Sequence, residues 1–170
     1  VCMLNMPINK IRRKIQIYPG SWVNMHSTNC YAYAMGLDIP QYKICEYAYQ
    51  PGTMSDTANI ASDDYFTREE LIDGMYGDFK LLDISCRQVT YDEPIEDDEW
   101  KIALLFSGVD DTFMDFHFLK QGRYGVWTHK KGYDGEVSRR DYSGRIITNP
   151  EIAYLPTYKF NSCYALKLNR

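Results

Sequence analysis

What the chain has little of already narrows its chemistry. Of its 170 residues, three are histidines (His26, His117 and His129) and five are cysteines (Cys2, Cys30, Cys45, Cys86 and Cys163), with no pair in C-x-x-C spacing. An odd and unpaired set makes neither a disulfide framework nor a zinc knuckle the first expectation; it slightly favours a reducing, cytoplasmic setting and is also compatible with export, so localisation stays open. The three histidines with Cys30 form no compact ligand motif, so no metal or other cofactor is expected. The H-x-E and P-C-x-x-C elements of a zinc deaminase are missing as well. Glycine-rich phosphate signatures are lacking, and Gly122, Gly125, Gly132, Gly135 and Gly144 recur as turn glycines. No run reaches the length of a membrane helix, and the first residues lack the apolar segment of a signal peptide. A net charge of -4 removes any broad electrostatic case for nucleic acid. Arg12-Arg13-Lys14 and Lys130-Lys131 remain as local basic spots, read as solvated surface before contacts for an acidic partner.

What is present suits one compact domain, over residues 21–170, preceded by an amino-terminal arm over 1–20. The hydrophobic share is 45% and the charged share 25%, ordinary for a globule, but fifteen tyrosines are many. Such flat amphipathic rings suit a recognition cleft and a wet core rim equally well.

Along the chain, Ile11, Ile15, Ile17 and Tyr18 alternate weakly up to Pro19-Gly20, which predicts an arm or edge strand closed by a turn. Ser27, Thr28 or Asn29 can cap a short helix from Cys30 to Met35, with Gly36 as its left-handed end. Residues 37–62 are rich in Pro, Gly, Ser, Asp and Tyr and predict a long irregular connection that shapes or covers a cleft. Thr67 and Glu70 form a capping box for a second helix ending near Gly74 to Gly77. Strands are expected over 79–84, 100–106 (buried on both faces), 113–120, 125–130, 144–147 and 164–168, the third and fourth forming a hairpin around Gly122-Arg123-Tyr124. Helices first and antiparallel strands later predict an α+β domain, helices packed on a central antiparallel sheet.

The chemistry centres on Cys30. A thiol at the start of a helix feels the positive end of its dipole, which is expected to lower its pKa. If the hairpin turns about Arg123, His117 faces His129 across the strands on one face, and a one-residue slip would separate them. This arrangement suits thiol catalysis: Cys30 as nucleophile, His117 as base and His129 as the group that orients it, with Asp115 as an alternative orienter. The Cys30 amide is a candidate oxyanion donor, joined by a second from among Trp22, Asn24, His26 and Ser27.

The order and setting of Cys30, His117 and His129 resemble the papain-like thiol hydrolases, and within them the NlpC/P60 and CHAP-like group. The phrases Asn29-Cys30-Tyr31-Ala32-Tyr33-Ala34, Asp115-Phe116-His117-Phe118 and Gly125-Val126-Trp127-Thr128-His129-Lys130-Lys131-Gly132 are similar to those of a poorly characterised set of bacterial and phage proteins. The resemblance implies a papain-like fold over about residues 20–168, with Cys30 as nucleophile, His117 as base and His129 as third member. The activity it implies is cleavage or transfer at an amide or related acyl bond through a thioester. Where NlpC/P60 enzymes carry Asp before the cysteine and Ser-Gly after it, this chain has Asn29 and Tyr31-Ala32. That departure widens the substrate from cell-wall peptide to peptide, protein or lipid-linked acyl groups. Glutamine deamidase or acyltransferase chemistry on the same fold is the nearest alternative. A catalytically silent binding or assembly protein that uses the tyrosines and the 37–62 loop is the third.

Overall fold

The computed structural model describes residues 2–17, 28–61, 64–133 and 135–170. The expected turn at Pro19-Gly20 and the candidate donors Trp22, Asn24, His26 and Ser27 lie outside the described residues.

Among the described residues, three α-helices, α1 (Ile8–Arg12), α2 (Cys30–Met35) and α3 (Arg68–Leu81), accompany six strands: β1 (Ile84–Val89), β2 (Glu99–Val109), β3 (Thr112–Gln121), β4 (Trp127–Lys130), β5 (Val137–Ser138) and β6 (Lys159–Leu168). The strands form one sheet in the order β1-β6-β2-β3-β4-β5, every pairing antiparallel. The α+β class expected from the sequence is therefore observed.

Strand alternation divides the core into two layers. Trp100, Ile102, Leu104, Phe106, Phe116, Phe118, Tyr164 and Leu166 face the helices. Ala103, Leu105, Leu119, Trp127, Cys163 and Ala165 face the opposite side, under Ile147 and Leu155 of the carboxyl-terminal connection. The central strand β2 is buried from Glu99 to Phe106, which explains its continuous apolar run: both faces are covered.

All six residues of α2 are buried, so its apolar content comes from packing on every side. Asn29 caps it by accepting the Ala32 amide at 3.0 Å, and Gly36 ends it at φ 84°. A side chain at Gly36 would also strike the Gln16 carbonyl, because Ile15 bridges Leu37 there. Within the expected amino-terminal arm or edge strand, Ile8–Arg12 form helix α1 instead of extended chain, and its Ile11 is fully buried. Arg12 secures α1 by donating to the carbonyls of Leu82 and Asn169.

Four further expectations need correction. Helix α3 continues past Gly74 and Gly77 to Leu81, because both glycines serve close packing and do not end the helix. A Cβ at Gly74 would stand 2.8 Å from the Pro51 carbonyl and 2.9 Å from Ala58 Cβ, and one at Gly77 would strike Thr57. The first strand accordingly starts at Ile84 instead of Phe79. Residues 144–147 form no strand and contribute one isolated bridge, Arg140 to Ile146. Finally, Cys2 and Cys45 are joined in a disulfide with Cα atoms 5.9 Å apart. No spacing rule could have paired residues 43 apart, because the tertiary path of the loop brings them together.

The 37–61 connection is irregular, as expected, with one 3-10 turn at Gln41–Lys43, yet it carries Ile39, Ile44, Ala48, Tyr49, Met54 and Ile60 into the core. It is pinned by Asp78 of α3, a buried carboxylate that accepts from the Gly52 amide (2.8 Å), the Ser55 amide (3.0 Å), Ser55 Oγ (2.7 Å) and Tyr31 Oη (2.9 Å). Burial pushes the Asp78 pKa up to about 6, against the opposing pull of those donors.

Two outcomes follow from these contacts. Gly74→Ala should destabilise the fold by about 1–3 kcal/mol in urea unfolding, because overpacking against backbone outweighs the roughly 1 kcal/mol that alanine gains in an open helix; a stabilised variant would refute the close contact. Asp78 has a folded-state pKa above the roughly 3.9 of an unfolded aspartate, so its stability contribution is largest below about pH 4 and is lost as pH rises through about 6. Asp78→Asn should flatten that part of the stability profile, and an unchanged slope between about pH 4 and pH 7 would disprove it.

Candidate active site

Helix α2 packs against β3 and β4, and this sets the cysteine against the sheet. β4 pairs with β3 at only two positions, Lys120 with Thr128 and Gln121 with Trp127. Beyond them the strands part, and the amide of Phe118 acts on the Cys30 thiol in the direction that favours its thiolate. The amides of Cys30 and Tyr31 also turn to the sulfur. They are free to do so because, in the first turn of a helix, backbone amides have no intrahelical acceptor. Asn29, just before, uses its second side-chain function to donate to the Tyr49 carbonyl at 2.8 Å.

The hairpin is shifted by two residues from the expected register: with Lys120 opposite Thr128, the position opposite His129 is Leu119. A shift of two preserves the face, whereas a shift of one would not. His117 and His129 are therefore diagonal neighbours on one face, and they touch: His117 Nε2 lies 2.8 Å from His129 Nδ1, with the rings nearly perpendicular at 83°. The other nitrogen of His129, Nε2, lies 3.0 Å from the Arg140 carbonyl.

This last contact fixes the protons. A carbonyl only accepts, so His129 Nε2 carries the hydrogen, and neutral His129 presents Nδ1 as an acceptor. His117 must donate from Nε2, which leaves its Nδ1 with a free lone pair. The open nitrogen of His117 is thus Nδ1, and that direction originates in the backbone of residue 140.

Asp141 holds that backbone. Its carboxylate accepts from Ser143 N (2.9 Å), Ser143 Oγ (2.6 Å), Arg145 N (3.2 Å) and Tyr154 N (3.0 Å). These donors, Ser143 Oγ foremost, bring its pKa down to about 2. The sequence reading overlooked this residue, although Asp141-Tyr142-Ser143-Gly144 carries the signature of a side-chain-closed turn.

The alternative orienter, Asp115, is not bonded to His117. One of its oxygens accepts the Phe116 amide at 2.8 Å and the other accepts Tyr158 Oη. Tyr158 in turn lays its ring against His117, with centroids 5.4 Å apart. Thr128 points away from His129, as strand alternation requires, and meets Tyr33 Oη at 2.8 Å.

The electrostatics depart from expectation. Cys30 is 5% exposed, and burial pushes its pKa up to about 12, with nearby Asp115 adding to the rise and the Phe118, Tyr31 and Cys30 amides opposing it. The expected lowering by the helix dipole is overruled, because a helix of six residues offers a weak dipole and desolvation of a thiolate is costly. His117, 7% exposed, is brought down to about 3 by burial, then by His129 and Lys131. His129 is lowered by burial and Lys131, against its bond to Arg140. Cys30 therefore rests as a neutral thiol and His117 as a neutral imidazole, not as a thiolate and an imidazolium.

His117 opens on a cleft of about 260 Å³ lined also by Lys131, Gly132, Tyr142, Leu155 and Tyr158. Among the described residues, no group of three or more His, Cys, Asp or Glu side chains could hold a metal ion, and no helix is long and apolar enough to cross a membrane. No family model, curated protein or solved structure matches the chain.

Ring nitrogen chemical shifts should report His117 as the neutral, Nε2-protonated tautomer throughout about pH 5 to 8. The same depressed pKa means that His117 adds stability above about pH 6.5 that is lost as pH falls towards about 3. A His117 ring titrating near its ordinary value would break the assignment.

Proposed function

We propose that this chain is a papain-like cysteine hydrolase that cleaves an amide bond of a peptide or peptidoglycan-like substrate through a thioester. The observation that carries the reading is the directed chain from His117 through His129 to the Arg140 carbonyl, which leaves one open ring nitrogen on the strand residue preceding Phe118, whose amide acts on the Cys30 thiol. A nucleophile, a base and a group that fixes the base's tautomer are the three parts acyl transfer requires.

In this reading, His117 Nδ1 takes the thiol proton as Cys30 Sγ bonds to the substrate carbonyl carbon. The oxyanion is met by the Cys30 amide, whose position at the first turn of α2 leaves it without an intrahelical acceptor. Collapse breaks the carbon–nitrogen bond, His117 returns its proton to the leaving amine, and a thioester remains on Cys30. Water, losing a proton to His117, then attacks the thioester, and its collapse frees the acid and restores the thiol. Because thiol and imidazole both begin neutral, proton transfer accompanies attack instead of preceding it. Deamidation of a glutamine side chain or transfer to another acceptor would share the first half of this sequence and differ in what leaves or what attacks.

Alkylation by iodoacetamide tests the reading directly. An ordinary thiol reacts through its thiolate, so its rate rises about tenfold per pH unit below its pKa. Cys30, passing its proton to neutral His117 as it attacks, should react at a rate nearly constant between about pH 5 and 8, while Cys86 and Cys163 show the ordinary rise. His117→Ala should restore the ordinary slope at Cys30. A Cys30 profile parallel to the other two in the unaltered protein would remove the catalytic assignment. With a peptide mixture as substrate, chain cleavage separates hydrolysis from deamidation, which adds about one dalton without cleavage.

A further inference from the structure

Lys131 stands at the mouth of the cleft that exposes His117. Its ammonium lies 4.6 Å from the centroid of the Tyr142 ring, which also lines the cleft. Contact with an aromatic face holds a cation without neutralising it. Among the described residues Lys131 makes no ion pair, although the sequence holds more acidic than basic residues, 23 against 19. Two acids whose charge bears on Cys30 and His129 are committed elsewhere: Asp115 to Tyr158 and the Phe116 amide, and Asp141 to the amides of Ser143, Arg145 and Tyr154. The neighbouring Lys130 differs in kind, since its ammonium is buried and donates to the carbonyls of Gly132 and Tyr133 at 2.8 and 3.0 Å. Of the two adjacent lysines, one is a strut and the other faces the cleft.

We propose that Lys131, seated on Tyr142, forms a carboxylate subsite, so that the group acted on at Cys30 belongs to a substrate bearing a carboxylate next to the scissile bond. The proposal rests on the hydrolase reading and names its substrate class. It also supplies an electrostatic gain. Lys131 now works against protonation of both His117 and His129; a bound carboxylate offsets that positive charge at the moment His117 must accept the thiol proton. An anionic substrate would thus strengthen the base it meets, whereas a neutral analogue of the same shape would not.

Two probes of nearly equal size read this without knowledge of the natural substrate: iodoacetate, which carries a carboxylate, and iodoacetamide, which does not. Each forms a carbon–sulfur bond to Cys30 and expels iodide, the thiol proton passing to His117. At low salt, the iodoacetate-to-iodoacetamide rate ratio at Cys30 should exceed that of glutathione by about five-fold, the scale of one partly solvated charge pair. It should fall to the glutathione value in Lys131→Met, persist in Lys131→Arg, and shrink at high ionic strength. As a second measurement, acetyl-glutamyl amide, but not acetyl-glutaminyl amide, should shift the His117 and His129 ring resonances of the unaltered protein and fail to do so in Lys131→Met.

Rapid labelling of Cys30 by both reagents at the glutathione ratio, unaffected by Lys131→Met, would overturn the subsite and leave the hydrolase reading in place. Ordinary pH-dependent labelling of Cys30 would overturn the hydrolase reading, and the resonance titration would still decide whether a carboxylate binds at Lys131. Equal ring shifts with both peptides would overturn the subsite on their own.

Discussion

A six-residue helix enclosed on all sides cannot leave its polar ends or polar side chains to water, and much of this fold consists of the groups that answer α2. The Asn29 side chain meets Ala32 at one end while holding Tyr49 of the long loop. At the other end, Trp100 of β2 donates its indole hydrogen to the Ala34 carbonyl at 2.9 Å. Tyr31 reaches Asp78 and, through it, the loop around Gly52; Tyr33 reaches Thr128 on β4. A buried polar group without a partner costs about 1–3 kcal/mol, so these contacts are requirements of the burial, and they tie the helix bearing Cys30 to two strands, a second helix and a loop. The thiol is positioned by the whole core, not by its own turn.

The same enclosure explains why the site rests uncharged. Three amides approach the sulfur, which in a partly solvated setting would favour a thiolate. Withdrawal from water outweighs them, as it outweighs the donors around Asp78. Lys120 follows the same rule with the opposite sign: buried among Tyr33, Trp100 and the Gln16 carbonyl, its ammonium has its pKa brought down to about 7. Desolvation is the common cause, and the sign depends only on which protonation state carries the charge.

These cases also mark how far the sequence could be read. The helix at Cys30, its Asn29 cap and Gly36 end, the Thr67 and Glu70 capping box, the buried β2 and the shared face of His117 and His129 are local or periodic features, and such features leave their mark on neighbouring residues. The histidine pair stayed together despite a misjudged register, because the error was an even number of residues. Gly74 and Gly77 misled because a glycine that ends a helix and one that admits a neighbour look alike until the neighbour is known. Burial depth at Cys30, the Cys2–Cys45 linkage and the role of Asp141 beneath the Arg140 carbonyl are set by contacts between distant parts of the chain, and nothing near them in sequence records those partners. Lys130 and Lys131 look identical as letters, yet one is buried in a carbonyl nest and the other borders a cleft.

The bond from His129 to the Arg140 carbonyl has one more consequence. A peptide oxygen can receive a hydrogen bond but cannot take up a proton at neutral pH, so the line of donors from His117 ends there as a blind alley. The two imidazoles can share one added proton between them, but the Arg140 carbonyl cannot take it onward. In the proposed reaction, a proton that enters at His117 would leave by the side on which it came, to the departing amine or to the thiol itself. The wiring behind the pair thus makes the cleft side its point of exchange, and in the proposed reaction it would couple each proton taken up to a bond broken there.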